Sequence, residues 1–458
     1  MAGLFDSLSI AQSGLTAARI GLDVTGQNIA NVNTPGYARR VVSQAERHPL
    51  EPGEAGRGVE VVEIRALRDV YIEGRIAREH GGEQYDAALL DGLETVESIV
   101  GLPGSSLDAR ITAFFDAFSE LASDVTSMTA RDTAVRESQA LTTEFAAFAA
   151  RLAEQRRVAD HSIQDAVAEL NDLAQSVARL NGRLLSGGGH DAESLRDERA
   201  VLLKRMAGLA GVTVVDRGDG AVDVTLGSGH ALVVGANAYT MDMAAEPPNG
   251  FVSLTIADHD VTGQIGSGRL GGLLRLRDDL LPGYEARLDR LAWDLAAAVN
   301  ARHAAGFDLD GNPGGPFFTM PATVEGAAAA LEVSAAIAAD PRLLAAAGSP
   351  APGDNEVARA IAALRDEKVI NGGAATATQA WAGLVYHVGS DVRTAESSRE
   401  TREQIVRQLE RLRDQHSAVS LDEEAANLMR YQRSYEANAR FFTAIVDTLD
   451  ILMNMVRR

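Results

Sequence analysis

The N-terminal residues carry apolar side chains at alternating spacings of four and three. Leu4, Leu8, Ala11, Leu15, Ala18, Leu22, Thr25, Ile29 and Val32 fall on one stripe, apolar but for Thr25, while Gln12, Arg19, Asp23 and Gln27 lie off it. That is the a/d seam of a coiled coil or a helix bundle. The C-terminal segment repeats the pattern in Leu421, Ala425, Leu428, Gln432, Tyr435, Ala439, Phe442, Val446, Leu449, Met453 and Val456, apolar but for Gln432. Ser420 is placed to N-cap this second helix, with Glu423 three residues on to complete a capping box. Asp422, Glu423 and Glu424 in its first turn and Arg457 and Arg458 at its end suit the helix dipole. Gly14, Gly21 and Gly26 interrupt the first helix, each costing about 1 kcal/mol against Ala. Such a helix needs a partner to bury its leucines. Packing on the protein's own core is the plain reading. Because the best heptads sit at the two extremes of the chain, the alternative is that the ends pair and the pairs then stack between subunits.

The residues between the ends read mainly as helix. From Thr129 to Ser186 the periodicity is nearly unbroken, through Val135, Leu141, Phe145, Phe148, Leu152, Val158, Ile163, Val167, Leu170, Leu173, Val177, Leu180 and Leu184, and no Pro occurs there. This predicts a rod-like helix or a hairpin. Three short runs then favour strands, Val212 to Asp216, Val222 to Leu226 and Ala231 to Val234, the first two joined by Arg217-Gly218-Asp219-Gly220. Phe251 to Ile256 alternates with period two and would add a fourth strand. Helix resumes from Leu270 to Ala304, with Pro282 kinking or dividing it, and again over roughly 376–416, where Glu403 and Arg407 make an i,i+4 ion pair. The expected fold is mainly α with a small inserted β domain. Its terminal helical domain spans 1–64 and 411–458, its helical body 65–210 and 268–410, and its β domain 211–267.

After the first helix comes Asn28-Ile29-Ala30-Asn31-Val32-Asn33-Thr34-Pro35-Gly36-Tyr37-Ala38-Arg39. Locally this is a helix stop and a tight turn: Pro35 pushes Thr34 out of helical geometry, and Gly36 supplies a permissive backbone. Residues 4–37 resemble the N-terminal region of the flagellar rod, hook and hook-associated axial family, with Asn31, Thr34, Pro35, Gly36 and Tyr37 as its signature. Residues 420–458 are similar to that family's C-terminal region. Hook and rod members usually carry β-rich bodies, whereas the helical middle here, with segments 194–235 and 269–311, resembles the hook-associated branch. The resemblance implies an elongated, multi-domain structural subunit at the junction of hook and filament. Such a subunit is exported without a cleavable signal peptide to the extracellular flagellum. Its partners would be further copies of itself in a ring or helical oligomer, the hook protein, the next junction protein and an export chaperone on the C-terminal helix. The expected assembly residues are Leu4, Leu8, Leu15, Leu22, Ile29, Leu421, Leu428, Tyr435, Phe442, Val446, Leu449 and Met453. One departure stands out. After Pro316-Phe317-Phe318 many members insert an outer domain, but here the sequence passes quickly to Leu331-Glu332-Val333-Ser334, so 316–375 reads as shortened. A hook or distal-rod subunit is the first alternative, and an axial protein with cell-wall hydrolase activity the second.

Composition narrows the classes. The net charge of −21 and pI near 4.9 disfavour a nucleic-acid partner. The absence of cysteine removes disulfide and thiolate chemistry. The opening MAGLFDSLSI has no basic region and Asp6 breaks its apolar character, so it does not read as a secretory signal, and no run of about 20 apolar residues predicts a membrane span.

The search for chemistry returns weak patterns only. Gly266-Ser267-Gly268-Arg269-Leu270-Gly271 matches G-x-G-x-x-G, but no closing parallel strand follows, and a re-entry turn is expected instead of a dinucleotide site. Asp308-Leu309-Asp310-Gly311-Asn312 resembles the start of a calcium loop, but Pro313 and Thr319 stand where Gly and Glu are needed. Asp258-His259-Asp260 are consecutive, so their side chains diverge in a strand and do not form a relay. No cofactor, metal or catalytic residue is expected, and the protein reads as a non-enzyme.

Overall fold

A computed structural model of the chain describes residues 2–34, 36–48, 56–101, 106–187, 192–227, 229–247, 249–351 and 353–456. It is 67% helical with small sheets inserted, so the mainly α class holds. In chain order, α1 (Ala2–Ala30) leads to strands β1 (Arg40–Glu46) and β2 (Val59–Ala66). Helices α2 (Val70–Val100), α3 (Leu107–Ser123), α4 (Met128–Leu185) and α5 (Ala192–Ala210) follow. Strands β3 (Val212–Asp216), β4 (Val222–Leu226), β5 (Ala231–Val234) and β6 (Asn237–Ala238) form one antiparallel sheet in that order. A second sheet holds β7 (Met241–Glu246), β8 (Phe251–Ile256) and β9 (His259–Asp260). Then come α6 (Gly268–Arg275), α7 (Leu281–Ala304), β10 (Phe318–Thr319), α8 (Ala327–Ala330), β11 (Glu332–Val333), α9 (Ala335–Ala339), α10 (Glu356–Ala363), α11 (Ala377–Ser417) and α12 (Leu421–Val456). Among the described residues no helix is long and apolar enough to cross a membrane.

The chain divides into two compact units. One comprises Met1–His80, Leu170–Thr240 and Arg402–Arg458, the other Gly81–Glu169 and Met241–Thr401.

The second unit holds the larger core. Phe114 and Phe118 of α3 meet Phe318 and Phe317 with ring centroids 6.0 and 5.7 Å apart, Phe115 packs on Phe114 at 5.1 Å, and Phe148 of α4 packs edge-on against Trp381 at 5.0 Å. Two buried polar groups are fully engaged there. Asp160 of α4 accepts from Arg277 Nη1 at 2.6 Å and from the Val252 amide at 3.0 Å, which fixes β8 to the helix. His303, with no exposed surface, faces the Gly315 carbonyl with Nδ1 at 2.7 Å and accepts from the Ala345 amide with Nε2 at 2.8 Å. Residues 276–280 form a π turn closed by Leu281 N–H on Leu276 O. Pro282 follows in the first turn of α7, where its missing N–H is not needed.

The stretch read as a rod or hairpin is one helix of 58 residues, α4. Two expectations need correction. The strands of 211–267 do not form one inserted domain: β3–β6 belong to the first unit and β7–β9 to the second. Strands β6, β7 and β9 were not expected; β7, whose MDMAAE lacks a sustained apolar alternation, pairs with Phe251–Ile256, which does not join the β3–β6 sheet. The terminal domain, read as a helix followed by a turn, also contains a hairpin, β1 with β2, paired from Arg40↔Ala66 to Glu46↔Val59.

Candidate functional site

Helices α1 and α12 run antiparallel, and three contacts define their seam. A Cβ placed on Gly14 would lie 2.5 Å from Asn438 Oδ1, and one on Gly21 would lie 2.5 Å from Tyr431 Cε1. Asn28 Nδ2 donates to Glu424 Oε2 at 3.1 Å. Each pair stands seven residues from the next on both helices. Two of the glycines that weaken α1 are therefore where α12 side chains lie directly on its backbone; Gly26 faces open space.

The buried face of α1 is small: Ala11, Ala17, Ala18, Gly21, Val24, Thr25 and Asn28. The predicted stripe shares Ala11, Ala18 and Thr25 with it, but its large members lie to one side. Leu4, Leu8, Leu15, Leu22 and Ile29 are half-buried. On α12, Leu428, Phe442, Val446 and Leu449 are half-buried, while Leu421, Tyr435 and Met453 are 53%, 42% and 63% exposed. The seam is thus one residue out of phase with the leucines, which remain partly uncovered in the single chain. Arg457 and Arg458 lie outside the described residues.

One end of the seam is a polar clasp. Glu424 is 1% exposed. Its carboxylate receives Asn28 Nδ2 and, at 2.8 Å, Arg39 Nε, and the neighbouring Glu423 receives Arg39 Nη1 at 2.6 Å. Ser420 Oγ accepts weakly from the Glu423 amide at 3.4 Å, so the cap forms, but the Glu423 carboxylate turns to Arg39 and not back along a capping box. Asn28 is saturated: its amide nitrogen also donates to the Arg40 carbonyl at 2.9 Å, and its oxygen accepts from the Arg40 amide at 2.9 Å and the Tyr37 hydroxyl at 2.8 Å. Burial pushes the Tyr37 phenol up from its ordinary value, with Arg40 opposing, so it stays a donor.

The signature residues build the turn that presents these groups. Asn31 Nδ2 donates to the Gln27 carbonyl at 2.9 Å and its oxygen accepts from Thr34 Oγ1 at 3.1 Å, which ends α1. Gly36 has φ +80°, and a Cβ there would meet Val201 of α5 at 2.6 Å, so both backbone and space require glycine. Pro35 lies outside the described residues. Arg40, stacked on the Tyr37 ring at 5.0 Å, and Arg68 both bind Asp197 of α5. A cleft of about 630 Å³ opens beside the turn, lined by Thr34, Gly36, Tyr37, Val201 and the Lys204–Glu410 ion pair at 2.9 Å.

This site holds and positions: Asp197 and Glu424 are met by Arg40, Arg68, Arg39 and Asn28, while Arg40 Nε and Arg68 Nε are buried without a hydrogen-bond partner. Asn28, Arg39, Arg40, Asp197 and Glu424 were not expected from the pattern. The available signal was a carboxylate, Glu424, at helical spacing with Leu428 and Tyr431.

The weak motifs resolve as structure. Within the glycine-rich string, Gly268 has φ +72° at the start of α6 and a Cβ on Gly271 would sit 2.9 Å from the Ile265 carbonyl, so these glycines serve the tight entry into α6. Asp308 accepts from the amides of Asp310 and Asn312 at 2.9 and 2.8 Å, and Asp310 pairs with Arg342, a self-bonded turn. Asp258 has φ +63° in the tight β8–β9 turn, where Asp260 accepts from the Thr262 amide.

Comparison with known proteins follows the same layout. Residues 93–318 match the family described as Flagellar hook-associated protein FlgK helical domain, 8–37 the Flagella basal body rod protein family, and 414–455 the Flagellar basal body rod FlgEFG protein C-terminal family. Flagellar hook-associated protein 1 of Escherichia coli is 25% identical, with 97% of this chain and 98% of that protein covered. That of Bacillus subtilis is also 25% identical, with 99% of both covered. A solved structure of the flagellar hook junction protein FlgK from Burkholderia pseudomallei superposes with a TM-score of 0.67 at 17% identity, covering 74% of this chain and 99% of that one.

Proposed function

We propose that this chain, similar over nearly its whole length to flagellar hook-associated protein 1, is a structural subunit of the hook–filament junction. The observation that carries the reading is the pairing of the chain's two ends into one antiparallel helix pair that leaves its leucines partly uncovered. Burying one such side chain fully is worth about 1.5–3 kcal/mol, so repeating the pair between copies supplies the association energy. A heterologous, repeating contact of this kind makes a ring or tube instead of a closed dimer. Leu4, Leu8, Leu15, Leu22, Ile29, Leu421, Leu428, Tyr435, Phe442, Val446, Leu449 and Met453 are the assembly residues in this reading.

The protein acts at the flagellum, outside the cell. It contacts the hook protein on one side and the next junction protein on the other, and its C-terminal helix is covered by a chaperone before export. The shortened 316–375 region leaves the subunit without a sizeable outer domain. Its role is packing, without catalysis.

Deletion of the gene in its own bacterium, read by electron microscopy and by flagellin in the medium, tests this. Finished hooks without filaments, with flagellin lost to the medium, are expected. Loss of hooks would move the protein to the rod or hook, and intact filaments would overturn the axial reading.

A further inference from the structure

We propose that Glu424 is the positioning residue that selects between two registers in which α12 can lie on α1. The seam repeats every seven residues, and so does its steric code. Tyr431 needs a bare backbone beneath it and finds Gly21. Gly14 offers a second bare backbone one heptad away. Sliding α12 by seven residues toward the N-terminus of α1, about 10 Å at 1.5 Å per residue, places Tyr431 on Gly14, Glu424 on Gly21 and Asn438 opposite Ser7. Packing alone tolerates that arrangement. The opposite slide does not work, because Tyr431 would fall on the Asn28 side chain.

The polar clasp breaks the degeneracy. In the observed register the buried Glu424 carboxylate receives Asn28 Nδ2 and Arg39 Nε. Neither donor belongs to α12: Asn28 lies on α1 and is tied to the Arg40 backbone through both amide atoms, and the Arg39 amide is bonded to Ser417 O, at the end of α11, at 3.0 Å. After the slide Glu424 would be pressed against the backbone at Gly21 with no donor, and a buried carboxylate without partners is strongly disfavoured. A polar group at one seam position commonly specifies register in coiled coils at some cost in stability. The register decides which leucines of the two helices lie side by side. Glu424 thereby sets the surface on which copies meet, a consequence that rests on the junction reading.

The chain has no cysteine, so spin labels on cysteines introduced at the exposed Gln12 and Gln432 report on this pair alone. In the observed register these positions are offset by eight residues along the helices; after the slide the offset is one. Pulsed dipolar spectroscopy on the full-length chain is expected to give a single distance in the otherwise unsubstituted protein. Glu424→Leu is expected to add a second population shorter by up to about 10 Å, and Glu424→Gln, which keeps an acceptor for Asn28, to hold the first. Asn28→Leu removes the clasp from the other side and is expected to slide as Glu424→Leu does, which keeps the test open should one variant fold poorly. The native distance alone in both leucine variants, equal sliding in Glu424→Gln, or a broad distribution in the unsubstituted chain overturns the proposal. The measurement is made on the isolated chain, so its failure leaves the junction role standing, and intact filaments in the deletion strain sink that role without touching the register.

Discussion

The ring of Tyr431 occupies the space that a side chain at Gly21 would need, with Tyr431 Cε1 2.5 Å from where a Cβ would stand. This turns a glycine that looks like a weakness in α1 into a condition for the helix pair.

Gly21→Ala and Gly26→Ala should therefore have opposite signs. Both gain about 1 kcal/mol of helix propensity. At Gly21 the methyl forces Tyr431 off the seam, an overpacking cost of about 1–3 kcal/mol, and the net effect is destabilising. At Gly26 nothing lies within 4 Å, so the gain is kept. Amide exchange along α1 and α12 reads this directly: faster in Gly21→Ala, slower or unchanged in Gly26→Ala. Faster exchange in both would mean the glycines act only through local helix geometry.

Much of this was legible in the sequence, for stated reasons. The long helices follow from periodicity, which α4 carries over 58 residues, and the strands at 212–216, 222–226 and 231–234 from β-branched runs around a glycine turn. The seam was not legible. A period of seven is satisfied by adjacent stripes, and leucines mark the stripe that is larger, not the one that packs. Here the bare backbone at Gly14 and Gly21 admits the side chains of Asn438 and Tyr431, so these glycines define the contact while Leu15 and Leu22 stand beside it. The clasp was hidden because Glu424 looks like an ordinary first-turn acid, and its burial comes from Arg39 and Asn28, distant in sequence.

The Asp160–Arg277 pair predicts a large loss on truncation. Both side chains are buried, and Arg277 also donates to the Val252 carbonyl at 2.9 Å. Arg277→Met leaves Asp160 charged without its partner, which costs about 3–5 kcal/mol at buried pairs. Urea unfolding monitored by circular dichroism checks it. A loss below about 1 kcal/mol, the range of exposed pairs, would mean that water reaches the site.

His303 gives the second unit an acid limit. Burial lowers its pKa, and its Nε2 is held as an acceptor by the Ala345 amide. The unfolded chain titrates near 6.5. Below that pH the unfolded state binds a proton the folded state refuses, so stability falls as pH drops from about 7 toward 5 and is full above it. His303→Gln should be less stable at pH 7.5 yet show a shallower loss between pH 7 and 5. Equal slopes in the two proteins would assign the acid sensitivity to other groups.

Met453 separates folding from assembly. It is 63% exposed on α12, so Met453→Ser should change the unfolding free energy of the isolated chain by no more than about 0.5 kcal/mol, as expected for a surface position. If the uncovered apolar face is where copies meet, the same substitution removes methionine contacts that exist only in the assembly. Expressed in the deletion strain, Met453→Ser is then expected to yield fewer filaments and more flagellin in the medium than the unsubstituted gene, at equal protein level. Full restoration of filaments by Met453→Ser, and equally by Leu421→Ser at the other end of α12, would show that this face is not buried between subunits and would return the assembly contact to the half-covered leucines of α1.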